Sequence, residues 1–227
     1  MLRSETTAVI GLFLQDQFLR SIIHFLQLCA PLAKKHHNNL NAMLDHFDLI
    51  ASVYDRLIGP PDTIRLRQLL KLPTTGWLLD GGGGTGRVSS HLRTLVDNIV
   101  VSDLSVRMLK KAQHKEVCPV SAHVERLPFA EESFDRVLVV DALHHFCDQQ
   151  ESIEDLLRVL KPAGRLVIEE PDFNHKGVKI LALAEKLLLM RSHFHTPQKI
   201  REMIASCGYS AKIEHDGRYT AWVVVDK

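Results

Sequence analysis

The chain has 227 residues and 45% of them are hydrophobic, enough for one domain with a sizeable core plus a short extension. Its 28 lysines and arginines nearly balance 27 aspartates and glutamates, and a net charge of +1 argues against a protein built mainly to grip nucleic acid. The four cysteines, Cys29, Cys118, Cys147 and Cys207, form no CxxC pair. That spacing disfavours a structural zinc or a disulfide scaffold and fits a reduced, cytoplasmic setting.

Residues 1–42 carry Phe18, Ile22, Phe25 and Cys29 at helical spacing, interrupted by Asp16, Arg20 and His24. No 18-residue apolar run exists there, so no membrane span is expected, and the order of a secretory signal is absent. The polar run Lys34 to Asn39 reads as a linker. A dispensable extension over 1–42 and a domain over 43–227 are expected, the competing reading being an N-terminal helix packed on the domain. From there the elements alternate. A helix is expected over about 41–57, and a second between Pro60-Pro61 and Leu72-Pro73. The first strand falls at about 76–80, with a helix from about 85. The second strand is Ile99 to Ser102, followed by a helix from Ser105 to Lys115. Strands at Cys118 to Ala122 and Phe134 to Val140 precede a helix at about 150–160. Lys161-Pro162-Ala163-Gly164 reads as a turn and Arg165 to Glu169 as a strand. Helices at about 176–191 and 197–206 follow. The chain closes with Tyr209 to Glu214 and Tyr219 to Val225, joined across Asp216-Gly217 as a hairpin.

This alternation predicts an α/β fold: a doubly wound, Rossmann-like, mostly parallel sheet with helices on both faces and a C-terminal antiparallel hairpin. Ligands of such sheets lie beyond the carboxyl ends of the strands, which places Asp80, Asp103, His123 and Asp141 on one rim.

Four glycines follow the first strand in "LLDGGGGTGR", Leu78 to Arg87. A nucleoside triphosphate loop needs a lysine and a hydroxyl after the last glycine, and here Arg87-Val88 follow. A nicotinamide dinucleotide stays open, because Gly81, Gly83 and Gly86 match GxGxxG with Asp103 downstream. S-adenosylmethionine also fits, through an acid and alternate glycines: Asp80, Gly82, Gly84 and Gly86. An aspartate at the end of the strand tolerates a cationic ammonium and sulfonium better than a pyrophosphate. The alternative, that Asp80 only orders the loop amides, is compatible with the ligand being bound.

Four segments then occur in order: "WLLDGGGGTGR", "VVSDLSVRMLKKA", "VERLPFAEESFDRVLVVDALHHF" and "RVLKPAGRLVIEEP". Together with "HFDLIASVYDRL" they resemble the class I S-adenosylmethionine-dependent methyltransferases, within the methyltransferase type 11 group and similar to the ubiquinone/menaquinone C-methyltransferases. The resemblance spans roughly residues 43–227. It implies that Gly82, Gly84 and Gly86 let the cofactor lie on the turn and that Asp103 accepts from both ribose hydroxyls. It implies that Leu104 and Met108 flank the adenine and that Val124 meets its edge through the backbone. Asp141 would line the methionine end, and Tyr54 would close over it. His123 replaces the family's aspartate or asparagine and would accept from adenine only as a neutral imidazole.

Methyl transfer needs alignment, exclusion of water and sometimes a base. His144 and His145 follow the fourth strand and are the candidate bases, the alternative being that they cap or line the pocket. Glu169, Glu170 and Asp172 are weaker candidates. Among 13 histidines, the pairs His36-His37, His144-His145 and His193-x-His195 lack HExxH spacing, so no metal is expected. Leu181, Leu183 and Leu187 to Leu189 give a helix that is core, or a lid over an apolar acceptor. The expected activity is methyl transfer from S-adenosylmethionine to a small molecule, quinone-like, lipid or another metabolite, by a monomer or homodimer. An NAD-dependent oxidoreductase and a non-catalytic S-adenosylmethionine-binding module are the alternatives.

Overall fold

A computed structural model of the chain describes residues 51, 54–58, 60–187 and 192–227. The extension expected over 1–42, most of the helix expected over 41–57 and the end of that expected over 176–191 lie outside them. Segments of four to twelve residues become the strands β1 (Trp77–Gly81), β2 (Asn98–Asp103), β3 (Cys118–Ser121), β4 (Phe134–Val140), β5 (Leu160–Pro171), β6 (Ala211–His215) and β7 (Thr220–Asp226), the central ones strongly apolar. They make one seven-stranded sheet in the order β3-β2-β1-β4-β5-β7-β6. The first five are parallel, while β7 runs antiparallel to both β5 and β6.

Both faces are covered, as the continuous apolar character of the central strands requires. Leu79, Val139, Ile168 and Val223 point to one side, where α5 (Gln149–Val159) and α7 (Pro197–Ser206) pack through Ile153, Leu156, Ile200 and Ile204. Leu78, Leu138, Val167 and Trp222 point to the other, against α2 (Thr63–Leu70), α3 (Ser89–Leu92) and α4 (Val106–Ala112). The helices α1 (Tyr54–Ile58) and α6 (Lys176–Leu187) complete the described elements. Side-chain oxygens fix the starts of four helices: Asp62, Ser105, Asp148 and Thr196 each accept from a backbone N–H three residues on. Among the described residues no helix is long and apolar enough to cross a membrane.

Two expectations need correction. The helix after the glycines does not begin near residue 85: the backbone stays in turns through Val88, and α3 is only four residues long. The segment Lys161 to Gly164 is not a turn between elements but an irregularity within β5. Leu160 pairs with Phe134 and Arg165 with Arg136, so the extra residues loop out. Lys227 holds them, accepting from the Ala163 N–H at 2.8 Å and donating to the Gly164 carbonyl at 3.0 Å.

Candidate active site

The rim beyond β1, β2 and β4 is built around the glycine turn. As the chain leaves β1, the N–H groups of Gly82 and Gly83 both donate to the Ser102 carbonyl of β2, at 2.8 and 3.2 Å. Gly82 has φ +71°, and a Cβ there would stand 2.8 Å from Ala142 Cβ and 2.9 Å from the Phe146 ring. Gly84 has φ +54°, yet a Cβ there would meet only Asp103 Oδ2, at 3.8 Å. Gly82 is therefore required by packing as well as by its positive φ, and Gly84 by its positive φ, with open space in front of it.

Asp80 lies beneath this turn, 1% exposed, and accepts from the Ser89 hydroxyl. Burial lifts its carboxyl to about 6, against the hydrogen bond from Ser89 and the charge of Arg87. The carboxylate abuts Gly83, where a Cβ would fall 2.7 Å from Oδ2. Asp103, at the end of β2, clasps the turn: Oδ2 accepts from the Gly84 N–H at 2.9 Å and Oδ1 from the Ser105 N–H at 2.7 Å.

A cleft in front of the glycines is lined by Tyr54, Asp80, Gly82, Gly83, Gly84 and Arg87. Burial pushes the Tyr54 phenol up to about 12, with Arg87 opposing and the nearby aspartates reinforcing. The next residue, Asp55, ties α1 to the turn by accepting from the Thr85 hydroxyl and from Lys115 Nζ. Arg87 is nearly buried and stands 3.8 Å from Asp141 Oδ2. Burial raises the Asp141 carboxyl and Arg87 lowers it. Asp141 itself holds φ +51°, a left-handed conformation that costs a non-glycine residue about 1–2 kcal/mol. Glu169 of β5 sits beside it, its carbonyl accepting from the Asp141 N–H at 3.0 Å. Burial and the charge of Asp141 push its carboxyl to about 8, despite an indole N–H bond from Trp222 at 2.6 Å.

The expected adenine contacts divide. Val124 is buried at the start of a short 3-10 turn and Met108 is 1% exposed, whereas Leu104 is 49% exposed on the rim. His123 turns outward, 61% exposed, with Nδ1 3.7 Å from Glu125 Oε2.

His144 and His145 lie in the 3-10 turn Leu143–His145 after β4. His144 is 5% exposed, and its Nδ1 is 2.5 Å from Glu170 Oε2. Glu170 Oε1 accepts from the N–H groups of Ala142 and Leu143 at 3.0 and 2.8 Å, so one carboxylate anchors the whole turn. Burial opposes the charge on His144, but the facing Glu170 overcomes it and lifts the imidazole to about 8. The ring stacks on Phe194 with centroids 4.2 Å apart and meets His145 at 4.0 Å. His145 is only partly buried, with Nδ1 3.2 Å from the Ser192 hydroxyl.

Sequence reasoning gave no site role to Arg87 or Glu185 and used Gly83 only in the nicotinamide-dinucleotide pattern. Arg87 served there only to reject a triphosphate loop, although an arginine directly after a glycine turn is placed to face whatever the turn holds. Glu185 carries no local signal, since its neighbours in space lie 40 residues away.

The cradle fits the cofactor that the sequence implies. A bare turn faces open space, one buried carboxylate lies below it, and Asp103 retains lone pairs for hydroxyl groups. Residues 79–168 match the methyltransferase domain family. The chain is 31% identical over 144 residues to the ubiquinone/menaquinone biosynthesis C-methyltransferase of Enterobacter sp. (strain 638), covering 59% of this chain and 55% of that protein. It is 37% identical over 115 residues to the demethylmenaquinone methyltransferase of Mycobacterium sp. (strain KMS), covering 51% and 49%. The chain thus spans about half the length of the curated relatives it matches. Among solved structures, phosphoethanolamine N-methyltransferase 2 of Haemonchus contortus, in complex with S-adenosyl-L-methionine, superposes with a TM-score of 0.68 at 16% identity, over 82% of this chain and 58% of that one. A methyltransferase of Aquifex aeolicus gives 0.64 at 16%, over 77% and 97%; at these identities both establish the fold. The sheet order and the superposed structures agree on a Rossmann-like methyltransferase fold, within which residues 79–168 carry the match to the methyltransferase domain family.

Proposed function

We propose that the chain transfers a methyl group from S-adenosylmethionine to a small, quinone-like aromatic acceptor. The observation that carries the cofactor choice over a nicotinamide dinucleotide is Asp80, a carboxylate buried directly under the glycine turn. A pyrophosphate about 5 Å from that charge would meet a repulsion of about 3 kcal/mol at an effective dielectric of about 20, whereas an ammonium or sulfonium is attracted. The acceptor class rests on the quinone-pathway relatives and is an extrapolation from the half of their length that this chain matches.

The bound cofactor supplies a methyl group already activated by a sulfonium. The chain must hold it, align the acceptor and keep water out. Gly82 and Gly84 give the backbone approach, Asp103 receives hydroxyl donors, and Tyr54, carried by α1, covers the cleft. Arg87 and Asp141 offer one charge of each sign, matching an α-carboxylate and an α-ammonium. His144 is largely imidazolium at neutral pH, so it stabilises negative charge on an acceptor rather than removing a proton. His145, partly exposed beside it, is the base that an acidic ring hydroxyl would use.

Product formation is the test. The chain is incubated with cofactor labelled at the methyl group and with quinols, an amine panel and simple phenols. Labelled ring-methylated quinol supports the proposal. Turnover confined to amines would replace the acceptor class, and no transfer to any acceptor would favour a binding module.

A further inference from the structure

We propose that His144, His145 and Glu185 form a binding site for a single divalent transition metal ion of the zinc class. Each residue offers one ligand atom, and these atoms all lie within 4.8 Å of one another. Tetrahedral zinc with bonds of about 2.0–2.1 Å needs donors about 3.3 Å apart, so small side-chain movements close the site. Two imidazoles and one carboxylate are a donor set suited to zinc, with a fourth position left for water or a ligand.

Two further observations point to a ligand. Glu185 is 6% exposed, and although Ser192 bonds to its carboxylate, Oε2 has no hydrogen-bond partner. A buried carboxylate oxygen left unpaired is costly, and an ion would satisfy it. His144 is also already oriented as metal-bound imidazoles usually are. Its Nδ1 is engaged by Glu170, which fixes the ring and leaves Nε2 for a metal. Glu170 and Glu185 thus set two carboxylates around one imidazole, an excess of negative charge that a cation balances. Phe194 stacked on His144 walls one side.

The site is argued separately from the methyl-transfer reading, although the two meet at His144 and His145. A metal and a proton compete for the same imidazole lone pair, so a loaded chain would have neither His144 as an imidazolium nor His145 as a base.

Zinc titration of the full, untagged, chelator-treated chain tests this, with cobalt(II) absorption as a second readout and no acceptor present. One zinc per chain is expected, with a tetrahedral cobalt spectrum. His145→Ala and Glu185→Gln should each weaken binding about tenfold or more, and Glu170→Gln about 10–100-fold. Glu185→Gln changes little in volume, so it decides the matter even if His145→Ala misfolds. Less than stoichiometric binding overturns the site. So does stoichiometric binding that Glu185→Gln leaves unchanged, since the metal would then sit on other histidines or cysteines. Neither result bears on cofactor binding.

Discussion

The glycine-turn side of the rim, proposed to hold the cofactor, and the β4–β5 side, proposed to face the acceptor, are constructed differently. Around β1 and β2 the work is done by backbone: glycines at positive φ, N–H groups aimed at Ser102 and Asp103, and a carboxylate under the turn. Around β4, β5 and α6 it is done by side chains distant in sequence, with Glu170 gripping His144 and two amides from 26 to 28 residues away. A backbone cradle can be broken by adding one methyl group, and a side-chain cluster by removing one carboxylate.

The largest effect should come from the acceptor side. Glu170→Ala would strand two amides and a charged imidazole, all buried. It should lower unfolding free energy by about 3–5 kcal/mol in denaturant titrations, while Glu170→Gln should cost clearly less. Equal losses would mean that packing, not hydrogen bonding, holds the turn.

On the cofactor side, Gly82 and Gly84 should separate. Gly82→Val drives a side chain into Ala142 and Phe146 from a left-handed backbone, so about 2–4 kcal/mol of stability should be lost. Gly84→Val clashes with no side chain and carries only the left-handed strain, about 1–2 kcal/mol, so it should fail chiefly in binding S-adenosylmethionine, more severely than Asp103→Ala. Melting curves and calorimetry on the pair distinguish the two; normal cofactor binding by Gly84→Val would remove the close-approach argument. Asp103→Ala is expected to weaken cofactor binding by about 1.5–3 kcal/mol, the range for hydrogen bonds to a charged group. An unchanged dissociation constant in a folded variant would leave Asp103 as a clasp for Gly84 and Ser105 alone.

The smallest of these effects is a pH dependence. The Asp80 carboxyl is raised from 3.8 to about 6 by burial, so the folded chain binds the extra proton between those values. Its contribution to stability is present below about pH 4 and is lost as pH rises through about 6. A cationic cofactor favours the ionised form, so its affinity should run the other way, rising about tenfold from pH 5 to pH 7 with release of a proton. Asp80→Asn should flatten that slope; an equally steep slope in the variant would move the titration elsewhere.

The same contrast explains what was legible in the sequence. The glycine turn was readable because its backbone demands glycine at fixed positions, and β4 fell at Phe134 to Val140 as expected. The short α3 was misplaced because Gly86 and Arg87 remain in turns that helical periodicity cannot register. Lys161 to Gly164 misled because proline and glycine mark a bulge as well as a turn, and only pairing with β4 and Lys227 tells them apart. His123, expected at the adenine, is exposed and lies near Glu125, a side-chain direction that its position in the sequence does not specify. The grouping of His144, His145 and Glu185 was invisible because the third member comes from α6, which no local spacing links to β4.

Calorimetry of the full chain with S-adenosylmethionine, its demethylated product and NAD tests the central claim most directly. The account predicts saturable binding of the first two at one per chain and no heat from NAD. Saturable binding of NAD, with neither of the others bound, would contradict it.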